Sequence, residues 1–195
     1  VCRKTCCVHT GEAAMNNHLD CLKELHRNDK HAMSSVDCVP AAKNGSLECL
    51  QYLHEHGYAW GTHECTKAAE GGHLHVVKYL HERKCQWESS ACESAAENGH
   101  LLVLKYLHEN GCEWGTYTYT TAARGGHIDI IEYLHDRGCP QDEFAAEGAA
   151  EMGHVHMLQC LHAHGIPFTE FVYLAAVEGG HLDCLQFLCA MGCPL

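Results

Sequence analysis

The stretch Ala95-Ala96-Glu97-Asn98-Gly99-His100-Leu101-Leu102-Val103-Leu104-Lys105-Tyr106-Leu107-His108-Glu109-Asn110-Gly111 decides how this chain folds. Two short helical patterns flank Gly99, and Gly111 stops the second. A glycine after the last periodic residue supplies the left-handed backbone that closes a helix. Leu101, Leu104, Leu107 and His108 recur at helical spacing and give the second segment one apolar face. Ser90 and Glu93 have the S-x-x-E form of a capping box, which places the start of the first helix at Ser90.

The same signature repeats along the chain. Gly45, Gly72, Gly99, Gly126, Gly153 and Gly180 recur every 27 residues, with an earlier degenerate copy at Asn17-His18. Alanine pairs precede them at Ala41-Ala42, Ala68-Ala69, Ala95-Ala96, Ala122-Ala123 and Ala149-Ala150, and the last copy reads Ala176-Val177. One helix pair buries too little surface to fold alone, so neighbouring pairs must stack, and the methyl side chains let the helices approach. The predicted fold is all-α: about seven stacked helix-turn-helix units near 8–30, 35–58, 62–85, 89–112, 116–139, 143–166 and 170–193, in a single solenoid over 1–195. Gly72, Gly99, Gly126, Gly153, Gly180, Ala95, Ala96, Ala122 and Ala123 are its structural positions. Both ends stop within a unit, so the chain reads as part of a longer array.

Segments 95–111 and 122–138 resemble the ankyrin repeat family, matching its A-A-x-x-G-H-L-x-x-V-x-x-L-L-x-x-G half. The family's usual period is about 33 residues. The shorter period here resembles arrays of large DNA viruses and protists, with connections reduced to stretches such as Cys112-Glu113-Trp114-Gly115-Thr116. The resemblance implies a protein–protein interaction scaffold or adaptor that docks a macromolecular partner on its concave face. A structural subunit built permanently into a large assembly is the alternative. A metal-binding thiol protein is the third reading.

Composition narrows the partner. Thirteen basic residues against 25 acidic give a formal charge of −12. Such a field repels a phosphate backbone, so another protein is expected and nucleic acid is not. No apolar run reaches membrane length and the first residues lack the long apolar stretch of a secretory signal, so no membrane insertion is expected.

Fifteen cysteines and 19 histidines raise the question of chemistry. Repeat phase answers most of it. Cys21, Cys49 and Cys184 share a slot with Val76, Val103, Ile130 and Met157. Cys38, Cys65 and Cys92 share one with Tyr119, Ala146 and Tyr173. Cys85, Cys112, Cys139 and Cys193 follow the second helix. Exchange with Val, Ile and Met marks small buried hydrophobes. Equivalent slots in stacked repeats lie roughly 8–10 Å apart, too far for a disulfide, whose Cα atoms must come within about 7 Å. Unpaired thiols in this number imply a reducing intracellular compartment, cytoplasm or nucleus.

The histidines form two ladders, His26/His54/His81/His108/His135/His162 and His73/His100/His127/His154/His181. Repeat spacing keeps either ladder from converging on one metal ion, and the second is expected to hydrogen-bond nearby backbone. Cys2, Cys6, Cys7 and His9 cluster near the start, with no recognisable zinc spacing. No catalytic residue, metal site or cofactor is expected, because every Cys, His and Glu is accounted for by repeat phase.

Slots that vary between copies are free for function. One slot reads Val36, His63, Ser90, Tyr117, Phe144 and Phe171, and by resemblance it lines the docking edge. His63, Ser90, Tyr117, Phe144 and Phe171 are therefore the candidate partner-binding residues; packing of the rings on neighbouring repeats is the competing reading. Trp60, Trp87, Trp114 and Phe168 form a further phased slot, assigned to packing.

Overall fold

The computed structural model describes residues 7, 9–28, 38–115 and 117–193. Val36, Cys2 and Cys6 lie outside these, as do Thr116 and parts of the first two expected units. Among the described residues there are fourteen helices and no strand. The chain forms two compact units, Val1–Ala91 and Cys92–Leu195.

The first unit contains α1 (Thr10–Met15), α2 (Leu19–Asn28), α3 (Val39–Lys43), α4 (Leu47–Glu55), α5 (Thr62–Glu70) and α6 (Leu74–Glu82). The next helix, α7 (Ser89–Glu97), begins there and runs into the second unit, followed by α8 (Leu101–Glu109), α9 (Thr118–Gly125), α10 (Ile128–Asp136), α11 (Phe144–Glu151), α12 (Val155–Ala163), α13 (Glu170–Gly179) and α14 (Leu182–Ala190). Odd-numbered helices pack on odd-numbered neighbours: α1 on α3 and α3 on α5, then α9 on α11 and α11 on α13. Even-numbered helices do likewise, α2 with α4 and α12 with α14.

Ala95, Ala96, Ala122 and Ala123 have no exposed surface, and neither do Ala41, Ala42, Ala68, Ala69, Ala149 and Ala150. The second layer of core comes from the even helices, with Val103, Leu104 and Leu107 of α8 matched by Ile130, Ile131 and Leu134 of α10. Leu101 corrects the sequence reading. It opens α8 and is half-buried, while Val103 takes the core position, because the inward face starts at the end of the first turn.

Ser90 is a second correction: α7 begins at Ser89, so Ser90 stands inside the helix and is not its cap. Its hydroxyl lies 3.2 Å from Thr66 Oγ1. Glu93 turns away from the start of its own helix, and its Oε1 accepts the Tyr117 N–H at 3.4 Å. The carboxylate arm of a capping box is found one repeat earlier, where Glu64 Oε2 accepts the Gly61 N–H at 2.8 Å. Cys38 likewise sits at the N-cap of α3 and not within it.

Every interhelix glycine is left-handed, with φ of +73° at Gly72, +77° at Gly99, +75° at Gly126, +77° at Gly153 and +72° at Gly180. Backbone conformation is only half of the requirement. A Cβ on Gly99 would stand 2.6 Å from the His127 ring, and one on Gly153 would stand 2.5 Å from the His181 ring. The imidazole of the following repeat thus fills the space above Gly99 and Gly153.

Candidate functional site

His127, His154 and His181 are the N-cap residues of α10, α12 and α14. Each extends Nε2–H to a carbonyl in the last turn of the preceding odd helix: Glu97 at 3.0 Å, Arg124 at 2.9 Å and Glu151 at 2.9 Å. The last four carbonyls of a helix lack partners within it, and the imidazole satisfies one of them. In the first unit Ser46 holds the same slot, and its hydroxyl donates to the Met15 carbonyl at 2.9 Å. The glycine slot relaxes there too, since Asn17 stands in it with φ +53°. A small hydroxyl leaves room for a side chain where an imidazole does not.

The other histidine ladder stacks on the tryptophan slot. Ring centroids of His54 and Trp60 lie 4.2 Å apart, those of His81 and Trp87 4.2 Å, and those of His108 and Trp114 3.9 Å. Each pair belongs to one repeat, with the ring in the connector folding back over the end of its own even helix. A tyrosine of the following repeat closes the stack edge-on, Tyr79 against Trp60 and Tyr133 against Trp114. Gln141 replaces tryptophan in one repeat, and its side chain instead hydrogen-bonds His135 Nδ1 at 2.8 Å. Burial, followed by the nearby Arg137 charge, lowers the His108 pKa below its ordinary value. Burial and His135 do the same for His164.

All 13 described cysteines are free thiols. Equal slots of successive repeats do not bring sulfurs together, whereas different slots of one repeat do. Cys65 of α5 donates to Cys85 Sγ at 2.9 Å, and Cys85 donates on to the Gly61 carbonyl at 3.1 Å. The hydrogen bond from Cys65 lowers the Cys85 pKa against the effect of burial. Cys92 and Cys112 repeat this pairing in the second unit, Cys92 shifted upward and Cys112 downward by the bond they share. Near the start of the chain, Cys7, His18 and Cys21 offer ligand atoms all within 4.8 Å of one another. His9 is the exposed N-cap of α1 and not a member of that group.

The variable slot lies at the N-terminal ends of odd helices. In the first unit His63 is exposed and Ser90 half-buried. In the second unit Tyr117 caps α9, Phe144 opens α11 and Phe171 is the second residue of α13. They are 55%, 46% and 57% exposed. Carboxylates hold the first two backbones: Glu93 Oε1 accepts the Tyr117 N–H, and Asp142 Oδ1 accepts the Phe144 N–H at 3.0 Å. The Thr120 hydroxyl holds that same aspartate. Leu174, 50% exposed and one turn after Phe171, extends the apolar edge, which an i, i+3 reading of α13 would have revealed. Acidic groups flank it, and burial with the adjacent Glu143 keeps the Glu147 carboxyl above its ordinary pKa.

Helix pairs in register, closed by left-handed glycines and cross-tied by carbonyl-seeking imidazoles, define a helical repeat protein. Residues 39–118 match the family model described as ankyrin repeats (3 copies). The fold is similar to that of the human ASB11 ankyrin repeat domain, with a TM-score of 0.63 and 20% sequence identity over 82% of this chain and 84% of that one. No curated protein sequence matches the chain. Ankyrin repeats generally mediate protein–protein interaction and are typically non-enzymatic modules. No helix among the described residues is long and apolar enough to cross a membrane.

Proposed function

We propose that this chain is a non-catalytic scaffold that docks a partner protein along the edge carrying Tyr117, Phe144 and Phe171, the concave edge in ankyrin architecture. The supporting observation is that three large rings, 27 residues apart, are each about half exposed, and that carboxylates hold the backbones of Tyr117 and Phe144. Rings that served only as core would be buried like Tyr119, which has no exposed surface. Aromatic side chains fixed in position make strong anchors, because little conformational freedom is lost on binding. His63 and Ser90 hold the same slot in the first unit. Glu143, Glu147 and Glu170 favour a partner segment that combines apolar side chains with Lys or Arg, and the overall charge disfavours nucleic acid. A reducing compartment, cytoplasm or nucleus, suits its free thiols.

A second reading is permanent incorporation into a larger assembly. It draws on Val177, which is 48% exposed although the same slot is fully buried at Ala69, Ala96, Ala123 and Ala150.

Selection of binders from a random peptide display library, followed by hydrogen exchange of the complex, tests the docking edge. Protection concentrated at residues 115–121, 142–147 and 169–174 supports it. Protection confined to Val177 and the residues after it would favour the assembly reading instead.

A further inference from the structure

We infer that Cys7, His18 and Cys21 form a site for a thiophilic divalent cation of the zinc class. Their ligand atoms all lie within 4.8 Å of one another, and Cys7 Sγ is 3.1 Å from His18 Nδ1. Tetrahedral zinc holds sulfur at about 2.3 Å and imidazole nitrogen at about 2.0–2.1 Å, which sets ligand atoms roughly 3.3–3.8 Å apart. The three donors therefore reach coordination distance with small side-chain adjustments. Two thiolates and one imidazole make a soft donor set of charge −2, matched to zinc or cobalt and unsuited to magnesium or calcium. Three protein ligands leave a fourth position to water.

The repeat itself shows that this arrangement is not the ordinary one. His18 stands in the slot of His127, His154 and His181, whose Nε2 atoms reach a carbonyl of the preceding repeat. Its Nδ1 lies 3.1 Å from the Cys7 thiol. Cys7 stands where Thr62 and Ser89 open α5 and α7, yet α1 starts only at Thr10. The extended backbone of His9, φ −130° and ψ 152°, sets Cys7 outside the helix, where it meets His18 and Cys21. Cys21 is buried on α2 and completes the triangle.

Cobalt(II) titration of the reduced full chain tests the assignment. One equivalent should give a thiolate-to-cobalt charge-transfer band that zinc displaces. Histidine-only binding elsewhere on this His-rich chain gives no such band. Cys21→Val should abolish it while preserving the fold, because Val76 and Val103 already occupy that slot. His18→Gln, at an exposed side chain, should weaken binding at least tenfold and provides a second well-folded variant. Metal binding expels the thiol protons, so affinity should rise with pH. No charge-transfer band in the wild type, or an undiminished band in both Cys21→Val and His18→Gln, would overturn the site.

Discussion

The Nε2–H of His127 donates to the main-chain carbonyl of Glu97 at 3.0 Å, and the same imidazole roofs Gly99 so closely that a Cβ there would stand 2.6 Å away. One side chain thus caps the preceding helix and dictates glycine at its end.

Two glycine substitutions separate these effects. Gly99→Ala and Gly111→Ala both force alanine into left-handed backbone, at about 1–2 kcal/mol. A Cβ on Gly111 meets nothing within 4 Å, and Lys84 already occupies the equivalent place with φ +66°. Gly99→Ala should therefore cost more than Gly111→Ala in urea denaturation. Equal losses would remove the imidazole from the explanation.

A double-mutant cycle isolates the coupling. His127→Ala alone should cost about 1–3 kcal/mol through the unpaired carbonyl and lost packing. In that background Gly99→Ala should become cheaper, with a coupling energy of about 0.5–3 kcal/mol. Strict additivity would show that the ring and the glycine do not interact.

Alanine pairs set the helix spacing. Ala123→Leu, at a position with no exposed surface, should destabilise by about 1–3 kcal/mol through overpacking. Val177→Leu, in the same slot but 48% exposed, should change little. Thermal melts of the two variants that moved together would contradict the packing scheme.

Acid should weaken the fold through the stacked imidazoles. Burial lowers the folded-state pKa of His108 and His164 from the ordinary 6.5. Below that value the unfolded chain binds more protons than the folded one, so stability is complete above 6.5 and is lost as pH falls toward the lowered folded values. Urea midpoints should fall between about pH 7.5 and about pH 5.5, and His108→Leu should flatten part of that decline. A midpoint that rises on acidification would contradict the assignment.

Much of this architecture is legible from repetition alone. Glycine and alanine pairs recur in fixed phase, and their roles depend on backbone conformation and methyl size, which residue type specifies directly. Relationships that depend on how a connector folds back were not legible. His108 and Trp114 are six residues apart and sit in separate ladders, so only the path of the Glu109–Glu113 segment reveals their stack. Comparison of equal slots keeps sulfurs apart, whereas Cys65 and Cys85 meet across different slots of one repeat. Cys21 reads as a buried hydrophobe by phase, and its proximity to Cys7 follows from the late start of α1. Tyr117, Phe144 and Phe171 were legible as a row, but their exposure depends on how far each ring projects beyond the neighbouring helix.

The most direct test of the docking account is the triple variant Tyr117→Ser, Phe144→Ser, Phe171→Ser, assayed in parallel for melting temperature and for affinity toward a peptide selected against the wild type. Half-exposed rings that serve as anchors predict affinity reduced by at least tenfold with the melting temperature nearly unchanged. A collapsed melting temperature with affinity per folded molecule intact would show that the row holds the repeats together and that partners dock elsewhere.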